Sequence, residues 1–234
     1  SDDWVNAVAL QHVLNRLEAL EAEGGVDLLV CNYVYEHEDR SLLSTIRYKN
    51  VFPENRVIGW EDTRAFRPDQ YLTLHSAIYR TEVIRQSGIV LPKHIFYEDN
   101  LFVYAPLPLT KKLLYLDEDL YRYLIGREGQ SVSEQVMMKR CSHQIEIAER
   151  IFACHDLETV LRENPKLGRY MYHEASFMLV IASAFTRLNR TEEAERQVKA
   201  MWKFCYDTNP AMARKMRRNV LNLGVNLPGR LGRA

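Results

Sequence analysis

Residues 26–35 read Val-Asp-Leu-Leu-Val-Cys-Asn-Tyr-Val-Tyr, and the fold class follows from how they are read. β-Branched and aromatic side chains dominate, and the apolar part is nearly continuous rather than alternating, the pattern of a strand buried within a sheet. Just upstream, Leu10, Val13, Leu14, Leu17 and Leu20 recur at helical spacing and Gly24-Gly25 ends the run, which predicts a helix over about residues 4 to 22. A helix running into a buried strand predicts an α/β layer.

Downstream, Glu36 to Arg40 forms a polar turn, Ser44 to Val51 can return as an edge strand, and Pro53, Gly59 and Pro68 break up a long connection. Leu72 to Tyr79 carries His75 and Ser76 among apolar residues, and Thr81 is placed to cap a short helix that Gly88 closes. Pro92 then fixes the approach to Tyr97-Glu98-Asp99-Asn100-Leu101-Phe102. Two adjacent carboxylates there can accept hydrogen bonds from the first N–H groups of a helix, or can take a proton. That helix is expected to run through Leu101 to Ala105 and to stop at Pro106 and Pro108. Lys112 to Leu116 and Leu120 to Ile125 read as two short strands joined by a turn at Asp117-Glu118-Asp119, and Gly126 to Ser133 as a polar loop.

From Glu134 the period changes to that of helices. Cys141, Ile145, Ala148 and Phe152 make one stripe, Ala194, Val198, Met201 and Cys205 another, and Met212, Met216, Val220 and Leu223 a third. Phe177 to Phe185 is apolar on nearly every side and is expected to be the central helix that the others cover. Two domains are therefore expected: residues 1–133, α/β, and residues 134–234, an α-helical bundle subdomain with a basic tail. Trp4, Trp60 and Trp202 read as core or domain-interface aromatics, and His143, His155 and His173 as surface or satisfied core residues.

At 234 residues the chain can bury a core without staples, and its 31 basic and 31 acidic side chains cancel. No overall field points to nucleic acid. Cys31, Cys141, Cys154 and Cys205 lack metal-site spacing, which suits a reducing, cytoplasmic setting. The longest largely apolar run is too short to span a bilayer. Charge is uneven, however: from Lys199 onward eight basic side chains face Asp207 alone. The plainer reading is a solvated helix face; the alternative is a surface for anionic lipid headgroups, placing the protein at the membrane periphery. Ser1-Asp2-Asp3-Trp4 enters the first helix with no tail, as if the chain were cut inside a domain.

Taken in order, Ser1-Asp2-Asp3-Trp4, VDLLVCNY at 26–33, SAIYRTEVIRQSGIVLP at 76–92 leading into YEDNLF at 97–102, KLLYLDEDLYRY at 112–123 and QSVS at 130–133 resemble the second half of a family 2 glycosyltransferase catalytic domain. The likeness covers about residues 1 to 133 and lies in the ordered series, since each motif alone is weak. It implies a truncated GT-A mixed sheet with flanking helices, lacking its N-terminal nucleotide-binding part. In that family a divalent cation, Mg²⁺ or Mn²⁺, bound at an Asp-x-Asp motif holds the diphosphate of the nucleotide-sugar donor. Ser1 and Asp2 match the second and third positions, so the first Asp would precede the chain. Asp2 is then the expected metal ligand and Asp3 the cap of the first helix, although either could simply cap it.

By the same resemblance Asp99 falls where the family keeps its general base, and Glu98 would raise its pKa or hydrogen-bond the acceptor; which of the two takes the proton is open. His75, Ser76 and Tyr79 are candidate acceptor contacts, or else pack and cap. Arg127 and Gln130 are placed to reach the donor diphosphate. The reading is a fragment of an inverting glycosyltransferase, metal-dependent in the full-length protein and inactive alone, moving a sugar to a glycan, lipid-linked or polymer acceptor. The competing reading is a non-catalytic helical scaffold with a degenerate transferase-like half.

Overall fold

The computed structural model describes residues 3–37, 43–126 and 133–226. The chain is α/β, with a mixed, open five-stranded sheet and ten α-helices among the described residues. It divides into two units, Ser1–Val90 with Pro106–Gln130 and Leu91–Ala105 with Ser131–Ala234.

The first unit holds β1 (Trp4–Val5), α1 (Ala7–Glu21), β2 (Leu28–His37), β3 (Leu43–Ile46), β4 (Ala77–Tyr79), α2 (Thr81–Ser87) and β5 (Leu113–Ile125). β2 is the central strand: β5 lies parallel along one edge, while β3 and β4 pair antiparallel with different stretches of the other. Pairing on both edges and burial on both faces explain its unbroken apolar sequence. Against one face α1 lays Ala9, Val13 and Leu20 on Leu29, Cys31, Leu114 and Leu116. Elsewhere in the unit, the Pro- and Gly-punctuated connection packs as an aromatic layer. Phe52 meets Trp60, Phe66 and Tyr115 edge-on or tilted at 5.8–6.4 Å between ring centroids, and Trp60 Nε1 donates to Thr110 Oγ1 at 2.9 Å.

Trp4 and Val5 do not begin the helix: they pair antiparallel with Arg122 and Tyr121 of β5, and Trp4 is 45% exposed rather than a core residue. The cap of α1 is Asn6, whose Oδ1 accepts from Val8 N and Ala9 N, so neither Asp2 nor Asp3 is needed there. Arg80, not Thr81, is the N-cap residue of α2, although Gly88 closes that helix at φ 63° as expected. The two short strands around Asp117–Asp119 are one 13-residue strand. Between the pairs Val30–Tyr115 and Tyr33–Tyr121, β2 advances three residues while β5 advances six. The acidic triplet is therefore a bulge, which leaves side chains unpaired in the ladder and free to turn inward.

The second unit consists of α3 (Glu98–Tyr104), α4 (Glu134–Lys139), α5 (Cys141–Cys154), α6 (Leu157–Glu163), α7 (Pro165–Leu188), α8 (Glu192–Thr208), α9 (Pro210–Arg217) and α10 (Val220–Val225). The 24-residue α7 is central, packing against α4, α5, α6, α8 and α10. Only one side of Phe177–Phe185 is fully buried: Met178, Leu179, Ala182 and Ser183 are, whereas Phe177, Val180, Ile181, Ala184 and Phe185 are half-buried. The α8 stripe is buried in full, with Trp202 added to it. The third stripe fails after Met216, because Asn219 restarts the helix as a new cap and leaves Val220 and Leu223 outside. Within α7 Glu174 is completely buried, and burial pushes its carboxyl up to about 8, with Tyr170 pulling modestly the other way. Among the described residues no helix is long and apolar enough to cross a membrane.

Candidate functional site

The Glu98–Asp99 pair opens α3 as its first two residues. The backbone leading into it is unusual. Tyr97, the N-cap residue, has φ 72°, and His94 has φ 60°, left-handed conformations that cost a side-chain-bearing residue roughly 1–2 kcal/mol each. Their neighbour Phe96 is clamped within the unit: the Arg140 guanidinium sits 3.4 Å over its ring, His143 stacks on it at 5.8 Å, and its N–H donates to His143 Nδ1 at 3.1 Å. His143 is thereby a satisfied residue, as expected.

The strained turn delivers Asp99 half-buried. Burial first, and the adjacent Glu98 charge second, hold its carboxyl above the ordinary range, only partly opposed by the backbone N–H groups of Asp99 and Asn100. Asn100 Nδ2 donates to Asp99 Oδ1 at a long 3.3 Å and to Tyr97 O at 3.0 Å. Among the described residues no Lys or Arg bridges Asp99. A desolvated carboxylate with a raised pKa is suited to accept a proton.

In the first unit, His75 lies in an aromatic nest. Its ring stacks on Tyr123 at 4.5 Å and meets Tyr121 at 4.9 Å and Tyr33 at 5.3 Å. Burial lowers its pKa, the negative charge of Asp3 opposing only in part, so the imidazole is neutral near pH 7, and Nδ1 makes no hydrogen bond among the described residues. Asp3 itself accepts from Tyr121 Oη at 2.8 Å and Leu124 N at 3.2 Å. Ser76 is buried in a turn, its hydroxyl donating to Thr73 O at 2.9 Å and accepting from Thr73 N at 3.1 Å. Tyr79 is half-buried in β4 opposite Leu28. Asp2, Arg127 and Gln130 lie outside the described residues.

A polar cluster at the β5 bulge escaped the sequence reading. Asn32, fully buried on β2, donates through Nδ2 to Asp117 Oδ1 at 2.7 Å and Asp119 Oδ1 at 2.9 Å. Arg47 bridges the same two carboxylates at 2.6 and 3.1 Å. Tyr115 Oη, 2.8 Å from Asn32 Oδ1 and 3.1 Å from Asp117 Oδ1, donates to one of them. Burial alone would raise the Asp117 pKa, but the hydrogen bonds from Asn32, Arg47 and Tyr115 prevail and hold it below the usual carboxylate range. Beside it opens a cleft of about 210 Å³ lined by His12, Arg16, Glu54, Asn55 and Glu118. With every partner committed, this cluster fixes the bulge rather than moving protons. Its members lie up to 87 positions apart, and no local pattern links them.

Asp2, the expected metal ligand, lies outside the described residues, and its neighbour Asp3 is part of the sheet unit. Both Asp3 oxygens are already engaged, and among the described residues no three His, Cys, Asp or Glu side chains converge to hold an ion. No protein-family model and no curated protein matches the chain.

Proposed function

We propose that this chain is the acceptor-side part of an inverting glycosyltransferase with a GT-A arrangement, using a nucleotide-sugar donor and a glycan, lipid-linked or polymer acceptor. The observation that carries the reading is Asp99: a half-buried carboxyl with no cation partner among the described residues, held above its ordinary pKa at the end of a left-handed, clamped approach. Structured strain of this kind persists where surrounding contacts over-determine it, and it concentrates at working sites.

In this mechanism Asp99 takes the proton of the acceptor hydroxyl as that oxygen attacks the anomeric carbon. The bond to the diphosphate breaks on the opposite face, its electron pair leaves with the nucleoside diphosphate, and the anomeric configuration inverts. Burial, with the adjacent Glu98 charge adding to it, keeps the Asp99 pKa raised. In the first unit, taken by itself, Asp3 is held by Tyr121 and Leu124 and its charge acts on His75, a candidate acceptor contact. Neutral and ring-lined, His75 suits the apolar face of a sugar better than an anion.

The test is a donor screen on the protein that carries this chain, with Mn²⁺ present and nucleoside diphosphate release as readout. Release from one donor that depends on an added acceptor is expected. Absence of release across all nucleotide sugars, with the protein folded, would count against the proposal.

A further inference from the structure

Helix α10 reverses the usual arrangement of a surface helix. Its polar Asn222 is fully buried, donating through Nδ2 to Ser176 Oγ at 2.9 Å and Ser176 O at 3.2 Å on α7. Its apolar Val220, Leu221 and Leu223 are 82%, 46% and 54% exposed. The orientation is pinned, not frayed. Asn219 Oδ1 accepts from Leu221 N at 3.1 Å, Asn226 Nδ2 donates to Asn222 O at 2.8 Å, and Arg187 Nη1 donates to Val225 O and Asn226 Oδ1 at 2.7 and 2.6 Å. Burying an amide while exposing three aliphatic side chains is unfavourable in water, so the exposed face calls for a cover.

The surroundings of that face are basic. Arg214, Lys215 and Arg218 are exposed, Lys215 with its Nζ 5.0 Å over the Tyr172 ring, whereas Arg217 is half-buried with its guanidinium 4.8 Å over the Trp202 ring. No Asp or Glu follows Asp207 in the sequence. On α8, which packs against α9, Asp207 is paired with Lys203 and Glu195 is held by Arg187 at 3.2 Å. A second copy of this chain would bring two basic rims together across a symmetric contact, which is repulsive.

We propose that the α9–α10 surface docks on an anionic phospholipid bilayer, with Val220, Leu221 and Leu223 entering the headgroup boundary and Arg214, Lys215 and Arg218 meeting the lipid phosphates. Apolar insertion and electrostatic attraction together are what hold an interfacial helix at a membrane. The claim rests on this surface alone and does not require glycosyl transfer.

The test is co-sedimentation with phosphatidylcholine vesicles in which phosphatidylglycerol makes up about one third of the lipid, against pure phosphatidylcholine. Binding to the anionic vesicles alone is expected, weakening as salt rises. The triple variant Arg214→Gln/Lys215→Gln/Arg218→Gln should lower partitioning roughly 100-fold. Val220→Ser/Leu221→Ser/Leu223→Ser should lower it about tenfold or more. All six side chains are exposed, so both variants should keep the wild-type circular dichroism melt. Equal binding to neutral vesicles, no binding to either, or variants that bind as wild type would overturn the proposal. So would concentration-dependent self-association that the Ser variant abolishes while vesicles are ignored.

Discussion

The sheet unit and the helical unit treat carboxylates withdrawn from water in opposite ways. At the β5 bulge, Asp117 is surrounded by Asn32, Arg47 and Tyr115 and stays ionised below its ordinary range. In α7, Glu174 is completely buried with no Lys or Arg bridging it among the described residues, and burial drives its carboxyl to about 8. Asp99 stands between them, half-buried, raised, and without a bridging Lys or Arg among the described residues. A paired carboxylate is fixed structure and an apolar-buried one is neutral; the intermediate case can gain and lose a proton during turnover.

The largest stability effect that would break this comparison lies at Glu174. Its folded pKa is raised above the unfolded value near 4.5, so the unfolded chain releases its proton first. Stability from this group is highest below that pH and falls by ~1.4 kcal/mol per pH unit as pH rises towards about 8. Glu174→Gln should remove the slope and stabilise the helical unit by about 3 kcal/mol at pH 7, read by amide hydrogen exchange in α7. An unchanged slope would mean that the carboxyl is not neutral there. Asp117 has the opposite sign: its contribution is full near neutrality and is lost only as pH falls through its depressed pKa.

A smaller effect sharpens the other side. Asn32→Ala leaves Asp117 and Asp119 without their shared amide, and unsatisfied groups of this kind cost about 2 kcal/mol. Urea unfolding followed through the sheet unit should show that loss, with exchange in α7 unchanged. Equal destabilisation of both units would show that they are one cooperative body.

The same contrast explains what was legible in the sequence. β2 announced itself because burial on two faces leaves an unbroken apolar run, α1 because its stripe and Gly24-Gly25 are local signals, and α8 because all of its stripe is buried. β1 could not be read, since two residues carry no period and their pairing partner lies about 118 positions on. Asp-Glu-Asp has turn composition, and only the pairing of β5 with β2 makes it a bulge. α10 defeated the stripe because a polar network, not an apolar face, orients it. Of the candidate site, the Glu98–Asp99 pair at a helix start was visible. Its clamp by Arg140 and His143 was not, because those contacts join residues more than forty positions apart.

The most direct measurement compares Asp99→Asn with wild type in the protein that carries this chain, by nucleoside diphosphate release across pH. With Asp99 as the general base, the wild-type rate falls on the acid side with a midpoint above the ordinary carboxylate range. The variant should lose roughly 10²- to 10⁴-fold in turnover with an unchanged melting temperature. Wild-type turnover in Asp99→Asn, with the acid limb intact, would contradict the account.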